Sequence, residues 1–210
     1  MISGIPRHRI KGTYRRLDSQ SEIRAFGRIS GKVLDTCTGL GYTAIQAARQ
    51  ASSVVTVEKD VAVLELARLN PWSEGLFTNP GIHQIVGNVV EEIEGFEDGL
   101  FSYVIHDPPA IVLAGELYSG AFYGELCRVI RAKGRLYHYT GHPKSKLGRN
   151  TVRGVARRLR EVRFTRVKST DEAFVLLCTR VGEAPIRNQH LSFTKHRVSS
   201  PMVLPSGEAL

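Results

Sequence analysis

The chain is poor in cysteine, methionine, tryptophan and acid. Its 210 residues contain three cysteines, two methionines and one tryptophan. Cys37, Cys127 and Cys178 stand far apart and follow no metal-ligand spacing. This argues against a disulfide framework or a cysteine-held metal and points to a reducing compartment. No apolar run approaches the roughly 20 residues of a membrane span. The opening MISGIPRHRIKG has no hydrophobic signal region, so the expected location is cytoplasmic, with no membrane partner. Acids number 20 against 29 Lys and Arg, for a net charge of +9. The shortage is local. Residues 1–16 carry Arg7, Arg9, Lys11, Arg15 and Arg16 and no acid, and residues 128–168 carry 14 Lys or Arg and one acid, Glu161. Such stretches neutralise phosphates, so RNA or another polyanion is the expected partner, against the alternative of a solvated basic face.

Against this background the informative stretch is KVLDTCTGLG, Lys32 to Gly41. Val33 and Leu34 read as a buried strand ending at Asp35. A glycine turn, Gly39-Leu40-Gly41, leads into a helix over residues 42–50. The glycines let the backbone turn sharply with no Cβ facing a ligand across the strand end. A β-branched strand over 53–57 ends at Glu58, which can accept both hydroxyls of a ribose. The pattern implies a nucleoside pocket. Gly39 to Ala44 also fits the dinucleotide pattern G-x-G-x-x-A. Asp35 discriminates, because a carboxylate at the strand tip repels a pyrophosphate and suits a cation. Asp35, Gly39 and Gly41 resemble the first motif of class I S-adenosylmethionine-dependent methyltransferases. That resemblance implies S-adenosyl-L-methionine as cofactor, with the glycine loop against its amino acid part and Glu58 on its ribose.

Downstream, strands and helices alternate. Asp60 caps a helix over 61–70 that Asn70-Pro71 ends, residues 72–81 read as a loop, and residues 82–86 form a third strand. Asn88 follows, and the residue at this strand end in the methyltransferase family bonds the adenine amino group. Its alternative role is to cap the next helical turn. A fourth strand, 101–105, runs into His106-Asp107-Pro108-Pro109. A helix over 117–131 closes at Lys133-Gly134, a fifth strand covers 135–140, and a basic helix covers 151–161. Strands over 164–169 and 174–181 are joined by a turn too short for anything but antiparallel pairing. The expectation is an α/β protein: a doubly wound, seven-stranded, mostly parallel sheet of the Rossmann-like methyltransferase fold, with the last strand antiparallel. Asp35, Glu58, Asn88 and Asp107 then meet at one edge, where such sheets bind ligands. Residues 32–181 form the cofactor-binding domain. Residues 1–31 form a basic segment or flap whose Tyr14 and Phe26 cover the cofactor edge or anchor the segment. Residues 182–210 form an extended or disordered tail.

Asp107-Pro108-Pro109 resembles the fourth motif of amino methyltransferases, an Asn or Asp followed by Pro-Pro and an aromatic residue. The resemblance implies that Asp107 and the first prolyl carbonyl accept an amine's hydrogens and turn its lone pair toward the methyl group. Prolines fix that carbonyl's direction. Ala110 stands where the family has its stacking aromatic, which departs from recognition of a flipped base. Tyr118, Phe122 and Tyr123 are the nearby rings. The segment from Gly115 to Tyr137 also resembles spermidine synthases, which transfer an aminopropyl group from decarboxylated S-adenosylmethionine. The whole most resembles predicted archaeal-type methyltransferases with an HDPP motif. A non-catalytic nucleic-acid-binding module is the remaining alternative. His106, His138 and His142 match no metal motif and are expected to be structural or surface residues.

Overall fold

A computed structural model describes residues 29–140, 146–170 and 175–182. The N-terminal basic stretch with Tyr14 and Phe26, His142, and the tail beyond 182 lie outside the described residues.

Seven strands form one sheet: β1 (Lys32–Asp35), β2 (Ser53–Glu58), β3 (Ile82–Val86), β4 (Phe101–His106), β5 (Ile130–Tyr139), β6 (Phe164–Thr170) and β7 (Val175–Arg180). Their order is β3-β2-β1-β4-β5-β7-β6. Neighbours from β3 to β5 are parallel, and β7 is antiparallel to both β5 and β6. The expected sheet is present, with its final strand inserted between β5 and β6. Alternation along each strand sends side chains to two cores. Val33, Val54, Tyr103 and Ile105 join Ala44, Ala47, Ala67 and Leu76 from the helices α1 (Tyr42–Ala47), α2 (Val61–Arg68) and α3 (Glu74–Thr78). Leu34, Val57, Val104 and Leu136 join Val89, Phe122, Leu126, Val155 and Leu159 from α4 (Val89–Glu92), α5 (Gly120–Val129) and α6 (Lys146–Glu161). Helices therefore cover both faces, which is why the central strands β1, β2 and β4 read as mostly apolar runs.

Three elements depart from the sequence reading. Residues 72–81 do not form a plain loop: Pro71–Ser73 make a 3₁₀ turn and α3 follows. Asn70 starts this turn, its side chain accepting from the Trp72 N–H, and Pro71 occupies the first helical position. An Asn-Pro pair that ends one helix here opens the next. The helix before the fifth strand stops at Val129. Lys133, at φ 61°, and Gly134 lie inside β5, beside its register shift against β4. A pair that resembles a helix C-cap is instead an irregularity within the strand. Finally, Arg128 does not belong to a basic surface. It is buried, pairs with Asp98 at 2.8 Å and Glu125 at 2.7 Å, and donates to the Phe96 and Ile93 carbonyls. It clamps α5 to the chain entering β4.

Candidate functional site

The C-terminal ends of four adjacent strands, in the order β3, β2, β1, β4, carry Asn88, Glu58, Asp35 and Asp107. The expected site residues therefore share one edge of the sheet.

Asp35 lies at its centre and is fully buried. Its Oδ2 accepts from Thr56 Oγ1 at 2.9 Å and Thr43 Oγ1 at 3.2 Å. Its Oδ1 has no partner among the described residues. Burial pushes the carboxyl up to about 7, the two threonine bonds work against that, and the charges of Asp107 and Glu58 add to it. A buried carboxylate oxygen without a partner is costly. A ligand with a positive charge or an N–H at this point relieves that cost.

Thr56 spends its hydrogen on Asp35, so it accepts from Thr38 Oγ1, 2.6 Å away. A relay of hydroxyls thus fixes the carboxylate from the far side. Thr56 sits opposite Asp35 in the β1–β2 register, and Thr43 is in the first turn of α1. The sequence reading missed these threonines. The signal available for Thr56 was its place in the alternation of Val54, Thr56 and Glu58, as the polar residue inside the apolar part of β2.

The glycine turn is built as expected, and the segment 70–78 braces it. Gly39 and Gly41 have φ of 54° and 79°. A Cβ on Gly41 would lie 2.7–3.0 Å from the Leu76 side chain, whereas one on Gly39 would meet nothing within 4 Å. Ser73 Oγ donates to the Leu40 carbonyl at 2.7 Å, and Asn70 Nδ2 donates to Tyr42 Oη at 2.7 Å. The two glycines therefore differ. Gly41→Ala should destabilise the fold by about 1–3 kcal/mol through strain and overpacking, read as a lower denaturant midpoint. Gly39→Ala faces open space where the amino acid part of the cofactor is expected, so it should weaken cofactor binding out of proportion to its loss of stability. Unchanged calorimetric affinity in Gly39→Ala would remove the loop from the binding site.

Glu58 is buried, with Oε2 accepting from the Gly39 N–H at 2.9 Å and Oε1 from the Asp60 N–H at 3.1 Å. Each oxygen keeps a second lone pair. Glu58 thus ties the glycine turn to the β2 tip and retains acceptor capacity for hydroxyls. Asn88 caps α4: its Oδ1 accepts from the Val90 N–H at 3.2 Å, and its Nδ2 donates to Glu91 at 3.2 Å. The capping role is the one its contacts display. Cys37 has its thiol raised far above the usual range, by burial first and then by the neighbouring carboxylates, which suits packing and not reactivity.

Asp107 is half-buried, Pro108 buried, Pro109 half-buried and Ala110 exposed. The rings nearby are interior: Tyr118, Phe122 and Tyr123 are all buried. Tyr118 Oη donates to the Pro109 carbonyl at 2.9 Å. His106 is fully buried, with Nδ1 2.7 Å from Thr36 Oγ1 and Nε2 3.0 Å from the Leu117 carbonyl. A carbonyl only accepts, so Nε2 carries the hydrogen and Nδ1 accepts from Thr36. His138 is also buried, 4.5 Å from His106 between ring centres, and is bonded to Tyr123 Oη and the Tyr139 carbonyl. Burial pushes His106 down to about 4 and holds His138 well below its usual value. Both histidines are structural, with every ring nitrogen engaged. Among the described residues no group of three His, Cys, Asp or Glu side chains is arranged to hold a metal.

No protein-family model matches the chain. A curated relative, "Uncharacterized protein MJ1233" of Methanocaldococcus jannaschii, is 49% identical over 174 residues, covering 82% of this chain. The chain spans about 60% of that relative's length. Among solved structures, a spermidine synthase in complex with the transition state analogue AdoDATO superposes with a TM-score of 0.60 at 22% identity. The match covers 74% of this chain and 56% of that one. Spermidine synthase from Thermotoga maritima gives 0.55 at 22% identity, over 71% of this chain and 52% of its own. A Methanococcus maripaludis protein assigned by name to the S-adenosyl-L-methionine-dependent methyltransferases gives 0.52 at 16% identity, over 80% and 85% of the two chains. Strand order, the inserted antiparallel β7 and these superpositions agree: the chain has the class I Rossmann-like fold of S-adenosylmethionine-dependent methyltransferases and spermidine synthases.

Proposed function

We propose that the chain is an S-adenosyl-L-methionine-dependent methyltransferase that acts on a nitrogen of RNA or of a nucleic-acid-associated substrate. The observation that carries this reading is the unpartnered, fully buried Oδ1 of Asp35, at the centre of adjacent strand tips lined by three carboxylates. Such an edge favours a cationic nucleoside over a phosphate-bearing one. Bound S-adenosyl-L-methionine would supply a methyl group activated by its positive sulfur. Asp35 would face the positively charged amino acid end, Gly39 would leave room for it, Gly41 would hold the turn close against Leu76, and Glu58 would accept from the ribose hydroxyls. Asn88 caps its helix with one lone pair and has a second for the adenine amino group. Asp107 and the Pro108 carbonyl would accept the two hydrogens of the acceptor amine, with Pro108 and Pro109 holding the corner stiff. That arrangement aims the nitrogen lone pair and stabilises the charge that grows on it. No strong base is required, because the methylated ammonium is acidic and releases its proton afterwards.

For the polyanionic partner, the support is the exposed row Arg153, Arg157 and Arg160 on α6, opposite the buried Val155, Ala156 and Leu159. Residues three and four apart share a helix face. The acid on this row, Glu161, is 3.7 Å from Arg157, and both are largely exposed, so it screens the row weakly.

The superposition on spermidine synthases favours one second reading, aminopropyl transfer. Calorimetry with the intact and the decarboxylated donor separates the two. The methyltransferase reading expects tighter binding of the intact form, by about tenfold or more. Preference for the decarboxylated form would replace it. Steeply salt-dependent RNA binding without affinity for either donor would instead indicate a binding module.

A further inference from the structure

The direction of the Asp107-Pro108-Pro109 corner is set mostly by covalent constraint. Pro108 and Pro109 lock φ at two positions. Asp107 and Pro108 each precede a proline, which restricts them to extended ψ. The soft dihedral at the downstream end is ψ of Pro109, and it sets the carbonyl that receives the Tyr118 hydroxyl at 2.9 Å. Among the described residues none donates to the Pro108 carbonyl, and in the proposed chemistry it accepts from the acceptor amine.

Tyr118 is itself held. It ends the one-turn 3₁₀ segment Gly115–Tyr118, and its ring is buried beside His138, 5.5 Å between centres. The preceding residue, Leu117, has its carbonyl bonded by His106 Nε2, and His106 Nδ1 accepts from Thr36. Thr36 directly follows Asp35 and enters the glycine turn, and His106 directly precedes Asp107. One set of hydrogen bonds thus joins the β1 tip, the β4 tip and the segment that grips the proline corner.

We propose that Tyr118 is a positioning residue: its hydroxyl fixes the far end of the Asp107-Pro108-Pro109 corner, with His106 as the strut that holds Tyr118 against the cofactor loop. The inference rests on reading that corner as the acceptor site. Neither residue touches the acceptor. Their part is to keep two acceptor atoms, the Asp107 carboxylate and the Pro108 carbonyl, at a constant separation and angle.

The test uses the full chain carrying Tyr118→Phe, which removes one oxygen and keeps the buried ring. Hydrogen exchange reports the corner directly, because the Leu113 and Ala114 N–H groups both donate to the Ala110 carbonyl just beyond it. Exchange at these two amides is expected to rise about tenfold, with core amides and the thermal midpoint little changed. With tritiated S-adenosyl-L-methionine and total RNA, kcat is expected to fall about tenfold, while the KM for the donor and its calorimetric Kd stay within about twofold. Pro109→Ala loosens the same carbonyl from the other side, so it should share the phenotype and add little to it in the double variant. Wild-type exchange at residues 113 and 114 would overturn the proposal. So would a uniform rise across the core with lost donor binding, which marks a purely structural hydroxyl. If the unaltered chain transfers no methyl to RNA, the acceptor reading fails on its own, and the exchange contrast still decides whether Tyr118 fixes the corner.

Discussion

Replacing Asp107 by alanine is expected to lower methyl transfer about 10²- to 10³-fold while leaving donor affinity within about threefold. The carboxylate sits at the β4 tip, half-buried, on a corner whose next two residues are prolines. In the proposed chemistry it accepts a hydrogen from the acceptor amine, and its charge offsets the positive charge that builds on nitrogen as the methyl arrives. Both effects strengthen toward the transition state, so the loss belongs in kcat. Asp107 also lies near enough to Asp35 for its charge to raise that carboxyl. Asparagine at 107 keeps a carbonyl oxygen but not the charge, so Asp107→Asn should fall between wild type and alanine. Single-turnover transfer with calorimetric donor binding reads both quantities. Equal losses in the two would assign Asp107 to the cofactor alone.

Asp35→Ala is expected to weaken binding of S-adenosyl-L-methionine about 10²-fold, and Asp35→Asn about tenfold. The pH dependence carries more information. In the free protein the carboxyl is raised to about 7, from an ordinary value of 3.8, chiefly by burial. A cation needs the ionised form, so affinity should climb as pH rises from about 5.5 to 7 and level off above. Asp35→Asn should lose that climb. The sign for stability is the reverse. Between about 4 and 7 the folded state holds a proton that the unfolded chain has released, so stability falls as pH rises through this window. The full cost is on the order of 4 kcal/mol at 1.36 kcal/mol per unit. His106, lowered from 6.5 to about 4, works in the other direction and removes stability as pH falls through its own window. Subtracting the melting curves of wild type and Asp35→Asn isolates the carboxylate. Ligand-free Asp35→Asn should melt higher at pH 8 and bind the donor more weakly. If it bound the donor as tightly as wild type, with the same pH slope, the central argument about this site would be lost.

The β1 to β4 edge was legible in the sequence because the mostly apolar strands β1, β2 and β4 run into the acids Asp35, Glu58 and Asp107, and β3 runs into the Gly87-Asn88 pair. Two faces covered by helices make those runs continuous, and the abrupt change at each end marks the ligand edge. Support for that edge was not legible. Thr43 and Thr56 hold Asp35 across 8 and 21 residues of sequence, and short spacing patterns do not register such pairings. Residues 72–81 read as a loop because Pro71 precedes them and Gly75 and Pro80 punctuate them, yet Ser73 and Leu76 support the glycine turn. Arg128 counts as surface charge in any tally, and only the fold reveals the carboxylates and carbonyls that enclose it. His106 carries no spacing signal, since its partners Thr36 and Leu117 come from different elements.

The insertion of β7 has a consequence for the chain as it leaves the ribosome. β6 is made before β7 yet hydrogen-bonds only to it among the described strands, and β5 gains its second neighbour only from β7. A nascent chain that has not yet released residues 175–180 therefore carries an open β5 border and an unmatched β6 ribbon. Open strand borders recruit foreign strands. Truncations that end before Val175 should accordingly be captured by chaperones or precipitate, even though every residue of the proposed site has already been synthesised.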